Sequence, residues 1–150
     1  MKVQYRELEQ KDLDKFICLR QAQLQAEGTK PTTDLTKPLK AYYEKHIADG
    51  TFKSWVATDN GEIIATSGMS FIEKPPTYGN PSGKFGILSS MHTLEAYRRK
   101  GIAKKLLGLV IDEAKGHGCG VVQVTASKAG VLLYDAFGFE KYENFRQYKL

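Results

Sequence analysis

Two short stretches carry residue types whose spacing could do chemistry. The first is Arg98-Arg99-Lys100-Gly101-Ile102-Ala103, followed by Lys104 and Lys105. It falls between a predicted strand and the start of a predicted helix. The first N–H groups of a helix have no internal partner, and the helix dipole places partial positive charge there. A phosphate suits such a place. Gly101 lets the chain turn tightly and approach a ligand without a side chain in the way. Ala103 is small at the next position that would face it, and Arg98, Arg99 and Lys100 add charge. The pattern is not a Walker loop, which needs Gly-Lys-Ser/Thr, and its glycines do not fit a dinucleotide fingerprint. Read alone, it is equally a charged loop before a well-capped helix. The second stretch runs from Ser127 to Phe139 and places Tyr134 four residues before a Gly-Phe pair. Beside Leu132, Leu133 and Phe137, the plain reading of Tyr134 is a core aromatic, and Phe139 reads as core outright.

The elements that must position these residues follow from periodicity. Residues 2–8 alternate as a strand. Residues 10–27 repeat Leu13, Phe16, Ile17 and Leu24 at helical spacing, and Gly28 ends the run. Pro31 and Pro38 mark a loop over 28–38, and a second helix spans 38–48. Residues 52–58 and 62–72 read as a hairpin about Asp59-Asn60-Gly61. Residues 73–83 hold three prolines and two glycines, a loop long enough to border a site. An extended segment follows over 84–94. Residues 102–116 make an amphipathic helix, 121–125 a buried strand, 129–136 a short helix, and 139–148 a last strand. Strands and helices alternate in the second half, so part of the sheet is expected to be parallel. A mixed α/β (α+β) single domain over 1–150 follows.

Composition sets outer bounds. The chain has 150 residues, 41% of them hydrophobic, and a net charge of +5 from 22 Lys+Arg against 17 Asp+Glu. That is an ordinary globular mix, long enough to bury a core. The two cysteines, Cys18 and Cys119, are too few for a disulfide framework. Neither a secretory pattern nor an apolar run of membrane-spanning length is legible, so a cytoplasmic protein with no membrane partner is expected.

Together the two stretches resemble the Gcn5-related N-acetyltransferase (GNAT) family over roughly residues 84–140. The resemblance implies an acyl-CoA acyltransferase fold, a mixed, largely antiparallel sheet flanked by helices. It also implies acetyl-CoA as co-substrate and a primary amine as acceptor. The coenzyme A pyrophosphate would fall on the backbone around Arg98, Arg99, Lys100, Gly101, Ile102, Ala103 and Lys104. The pantetheine arm would lie along Met91, His92 and Thr93 like an added strand. Tyr134 matches the tyrosine that often protonates the departing thiolate. The chemistry agrees, because a phenol of pKa near ~10 is protonated at neutral pH and close to a thiol in acidity. A backbone N–H near Met91 would stabilise the oxyanion. No metal and no covalent enzyme intermediate is required.

The sequence departs from the family in three places. Ser127 stands where many relatives carry an asparagine that bonds the coenzyme, and Gly130 replaces a common alanine. The strand glutamate that several relatives use as a base is Ile87 here. His92, Glu73 and Glu95 are the replacement candidates, although strict alternation turns His92 away from the Ile87–Ser89 face unless a bulge re-aims it. A water chain is an equal alternative. In this fold the acceptor pocket is built from residues corresponding to 20–46 and 73–83. These regions and their surroundings offer Tyr42, Tyr43, Trp55, Phe71 and Tyr78, with Glu27, Asp34, Glu44 and Glu73 as anchors for a cationic amine.

A small-molecule amine is the expected acceptor, with a protein or peptide amine as the alternative. A second class is a non-catalytic acyl-CoA-binding sensor or subunit of the same fold. A nucleic-acid binder is disfavoured, because the basic residues sit at one helix start with no interleaved aromatics. A homodimer through Tyr142, Phe145 and Tyr148 is consistent with family habit, as is packing of those rings inside one chain.

Overall fold

The computed structural model describes residues 1–142 and 144–150. Among these residues, six strands form one sheet. Strands β1 (Val3–Glu7), β3 (Trp55–Asp59), β4 (Glu62–Glu73), β5 (Lys84–Thr93) and β6 (Val121–Val124) lie side by side in that order. The short β2 (Phe52–Lys53) also pairs with β4. Every pairing is antiparallel except β5 with β6. The mixed, largely antiparallel sheet expected from the sequence is therefore present.

Alternation on the strands assigns the two faces. Val56 and Ile63 join Leu13, Phe16, Ile17 and Tyr43 from helices α1 (Leu13–Ala26) and α2 (Thr36–Ala48). Ala57 and Ile64 instead join Ile102 and Leu106 of α3 (Ile102–Gly116). Strand β4 is buried from Ile63 to Met69, so it reads as a near-continuous run rather than an alternating one. The amphipathic stripe of α3 is buried at Ile102, Leu106, Leu107, Val110 and Ala114. A short α4 (Val131–Phe137) follows β6.

Local chemistry sets the ends of these elements. Asn60 and Gly61 take φ of 51° and 80°, the left-handed pair a two-residue hairpin turn requires. Helix α2 starts at Thr36, two residues before the expected position. The Asp34 carboxylate accepts from the Thr36 N–H (2.9 Å) and hydroxyl (2.7 Å). Pro38 then sits in the first turn, where its missing N–H costs nothing. The expected strand over 52–58 is broken at Ser54, whose hydroxyl donates to the Ser67 carbonyl at 2.6 Å.

The last expected strand, 139–148, is not formed. Residues 139–142 and 144–148 make no ladder, and Glu143 lies outside the described residues. Tyr142, Phe145 and Tyr148 are 81%, 75% and 89% exposed, so they do not pack inside the chain. They recur every third residue, and that spacing puts no single face of a strand on a core. Among the described residues, no helix is long and apolar enough to cross a membrane.

Candidate active site

The site begins with a defect in β5. Gly68 of β4 pairs with Ser89, while Thr66 pairs with His92, so Ser90 and Met91 together oppose Ser67. This is a β-bulge, and Ser90 takes a left-handed φ of 57° to make it. Gly68 and Thr66 share a face of β4, so their partners Ser89 and His92 share a face of β5. The extra residue thus brings His92 onto the Ile87–Ser89 face, toward α1 and α2. On the opposite edge, the parallel ladder with β6 ends at the Leu88–Val124 pair. The backbone from Ser89 to Thr93 is therefore open toward the gap between β5 and β6, as an added strand would need.

That gap leads to the start of α3. Arg99 and Gly101 have φ of 60° and 81°. Arg99 is a non-glycine held in the left-handed region, a strain of about 1–2 kcal/mol that functional loops often store. A Cβ built on Gly101 would meet nothing within 4 Å, so glycine answers to the backbone turn and leaves open space in front of it. The first helical bond runs from the Lys105 N–H to the Gly101 carbonyl at 3.1 Å. The N–H groups of Ile102, Ala103 and Lys104 precede it and face out of the helix. The Arg98 Nε donates to the Thr93 carbonyl at 2.9 Å, tying the loop to the end of β5. Met91, Thr93 and residues 98–104 thus form one continuous lining.

Tyr134 closes the other side. It is 6% exposed and packs against Phe139 at 5.4 Å between ring centroids. Burial, with the Glu27 charge adding to it, pushes its hydroxyl up to about 12. A Cβ on Gly130 would lie 2.7 Å from Tyr134 Cε2 and 3.4 Å from Ser127 Oγ. The missing methyl at 130 is what lets this ring lie against the helix start. Ser127 Oγ accepts from the Gly130 N–H at 3.2 Å, which leaves its own proton free to donate.

The α1 wall holds two residues that sequence reading did not bring together. Gln23, 5% exposed, donates through one nitrogen to Glu27 Oε1 and to the Met91 carbonyl, each at 3.1 Å. Its own carbonyl accepts from Arg20 Nη1 at 3.1 Å. The signal for Gln23 was its place on the stripe of Leu13, Phe16 and Ile17, where an amide interrupts an apolar face. His92 is half-buried, and its pKa is lowered first by desolvation and then by Arg98, while Glu27 acts the other way. Ser90 Oγ is buried and makes no hydrogen bond among the described residues. The nearby Tyr43 hydroxyl faces it, and burial raises the Tyr43 pKa despite that contact.

Other expected residues lie elsewhere. Glu73 ends β4 opposite Lys84, five residues beyond Gly68, and so about 17 Å along the strand from the bulge. The loop over 74–83 sits at that same far end and does not border the cleft. Glu95 is exposed on a single 3-10 turn past the strand. Asp34 is engaged in capping α2. Tyr43 is core, Trp55 donates to Glu113 at 3.0 Å, Phe71 stacks on His117 at 3.9 Å, and Tyr78 is fully exposed. A cavity of about 440 Å³ lies by Phe52, Phe71, Glu113 and His117 at the C-terminal end of α3, and it shares no residue with the cleft.

Comparison with known proteins bears on the family and the fold. Residues 18–139 match the profile of the acetyltransferase (GNAT) family. N-acetyltransferase 8 of Rattus norvegicus is 33% identical over 113 residues, which are 73% of this chain and 47% of that protein. The chain thus spans about half the length of this relative. A predicted acetyltransferase of Clostridium acetobutylicum, crystallised with acetyl-CoA, superposes with a TM-score of 0.95 at 32% identity, covering 99% of this chain and 96% of the other. A GCN5-related N-acetyltransferase of Ralstonia eutropha shares the fold at a TM-score of 0.91 and 23% identity, covering 99% of each chain.

Proposed function

This chain belongs to the acetyltransferase (GNAT) family, and from that premise we propose that it is an N-acetyltransferase that moves an acetyl group from acetyl-CoA to the primary amine of a small molecule. One observation carries the reading. The open edge of β5 runs from the bulge directly to the free amides of α3, and Tyr134 lies on the α4 side of the same cleft. The acetyl-CoA-bound relative of matching fold supports the choice of co-substrate.

The residues divide the work. The N–H groups of Ile102, Ala103 and Lys104 bind the pyrophosphate, with Arg99 and Lys100 adding charge. The backbone of Met91 and Thr93 pairs with the pantetheine arm, and Ser127 Oγ offers it one donor. When bound, the thioester supplies an electrophilic acyl carbon and a thiolate leaving group. The transfer makes one C–N bond and breaks one C–S bond, and two protons must leave the acceptor ammonium. His92, kept neutral by burial, takes one of these and passes it to solvent. Tyr134 supplies the proton that sulfur gains and recovers one from the amine nitrogen. Its raised pKa keeps the phenol protonated until a thiolate is beside it. The exposed Tyr142, Phe145 and Tyr148 support a homodimer as part of this reading, which sedimentation equilibrium reads out directly.

The test is thiol release from acetyl-CoA with a panel of primary amines, for the wild type and Tyr134→Phe. The expected result is turnover that falls about a hundredfold or more in the variant, while acetyl-CoA affinity holds. Binding of acetyl-CoA with no turnover of any amine would replace the enzyme by an acyl-CoA-binding protein.

A further inference from the structure

The acceptor side of the cleft has its own electrostatics, and they centre on Glu27. This residue is the C-cap of α1, exposed, with φ −83° and ψ 4°. A helix C-terminus carries partial negative charge, so a carboxylate there is locally unfavourable. Local rules broken without a structural gain tend to mark functional positions. The carboxylate is also held in place. Gln23 Nε2 lies 3.1 Å from Glu27 Oε1 and 3.1 Å from the Met91 carbonyl, so one buried amide fixes the carboxylate beside the bulge. Only Oε1 takes this bond, and among the described residues none forms a salt bridge with Glu27.

Resting on the acetyl-transfer reading above, we propose that Glu27 is the anchor for the acceptor's ammonium group, and that the acceptor is a cationic primary amine. Gln23 holds the Glu27 carboxylate on this side of the cleft, and its Oε2 makes no hydrogen bond among the described residues. The bulge carbonyl of Met91 lies beside it. A neutral amine would gain little from this arrangement, whereas an ammonium gains charge-assisted bonds. The cation held there sits beside His92, within reach of the group that takes its first proton. Arg20 donates to the Gln23 side-chain carbonyl and Arg98 to the Thr93 carbonyl, and among the described residues neither forms an ion pair with Glu27. Of the four carboxylates the sequence offered as anchors, Glu73 lies at the far end of β4 and Asp34 is spent on capping. Among the described residues, Glu44 makes no hydrogen bond or ion pair that links it to the cleft.

The test compares the wild type with Glu27→Gln, which keeps an oxygen for Gln23 and removes only the charge. The probes are 1,4-diaminobutane, an aminosugar, and aniline, which is uncharged at neutral pH. The wild type is expected to turn over the cationic amines in preference to aniline. In the variant, KM for the cationic amines rises about tenfold or more, kcat changes less, and aniline is unaffected. Calorimetric titration of 1,4-diaminobutane into each protein reads the anchor without turnover, and the expected heat in the wild type is lost in Glu27→Gln. Equal losses for charged and uncharged amines, a preference for aniline, or diamine binding that survives the substitution would overturn the anchor. Acetyl-CoA binding, measured on the same two proteins, fails only if the transfer reading itself is wrong.

Discussion

The two walls of the cleft are built by different means. The wall formed by the start of α3 and by α4 is local. Gly101 turns the chain, the N–H groups of Ile102 to Lys104 follow within one helical turn, and Ser127, Gly130 and Tyr134 meet through spacings of three and four residues. The wall formed by α1 and the bulge is non-local. It depends on Gln23 bonding Met91 across 68 positions of sequence. The local wall would hold what every member of the family shares, and the non-local wall would hold what distinguishes this chain. Spacing alone can therefore suggest a co-substrate while leaving the acceptor unread.

The largest expected difference between the walls is in alkali. Tyr134 is held neutral, its pKa pushed up to about 12 from an ordinary 10.0. A group whose pKa is raised by folding lends stability that is fully present below the unfolded value and lost as pH rises through the folded one. Stability should thus fall between about pH 10 and pH 12, by about 2–3 kcal/mol from this residue alone. Tyr134→Phe should flatten that part of the denaturation profile. An unchanged profile would mean that the ring is more solvated than its packing implies.

A smaller effect is expected on the other wall. Gln23→Leu leaves the Met91 carbonyl and one Glu27 oxygen without their buried donor, at a cost of about 1–2 kcal/mol. In a domain of this size that lowers Tm by about 2–8 °C. Acetyl-CoA affinity should change little, because the α3 amides that bind the pyrophosphate are untouched and the substitution removes a side chain, not the β5 backbone that pairs with the pantetheine arm. A large loss of acetyl-CoA affinity would show that the two walls are not separable.

The legibility of the sequence follows the same division. The stripe of Ile102, Leu106, Leu107, Val110 and Ala114 declares α3, and Asp59-Asn60-Gly61 declares the hairpin, because each is a pattern within one element. The bulge at Ser90 has no such pattern: Ser89-Ser90 in a strand gives no sign that one of them will take a positive φ. Without the bulge, His92 reads as facing away. Glu73 looked available because a Pro-rich loop follows it, but strand direction puts that loop about 17 Å from the bulge. The segment 139–148 reads as a last strand, yet a strand needs a partner for its backbone, and none is present among the described residues. Gln23 carries little signal, because one polar residue on an apolar stripe reads as an exception to it.

Hydrogen–deuterium exchange with and without acetyl-CoA tests the central claim most directly, since it locates the co-substrate without relying on turnover. The account predicts new protection over Ser89–Thr93 and over Arg99–Lys104, with the 113–117 segment by the distant cavity unchanged. Protection confined to the region around Phe71, Glu113 and His117, or no protection at the start of α3, would contradict it.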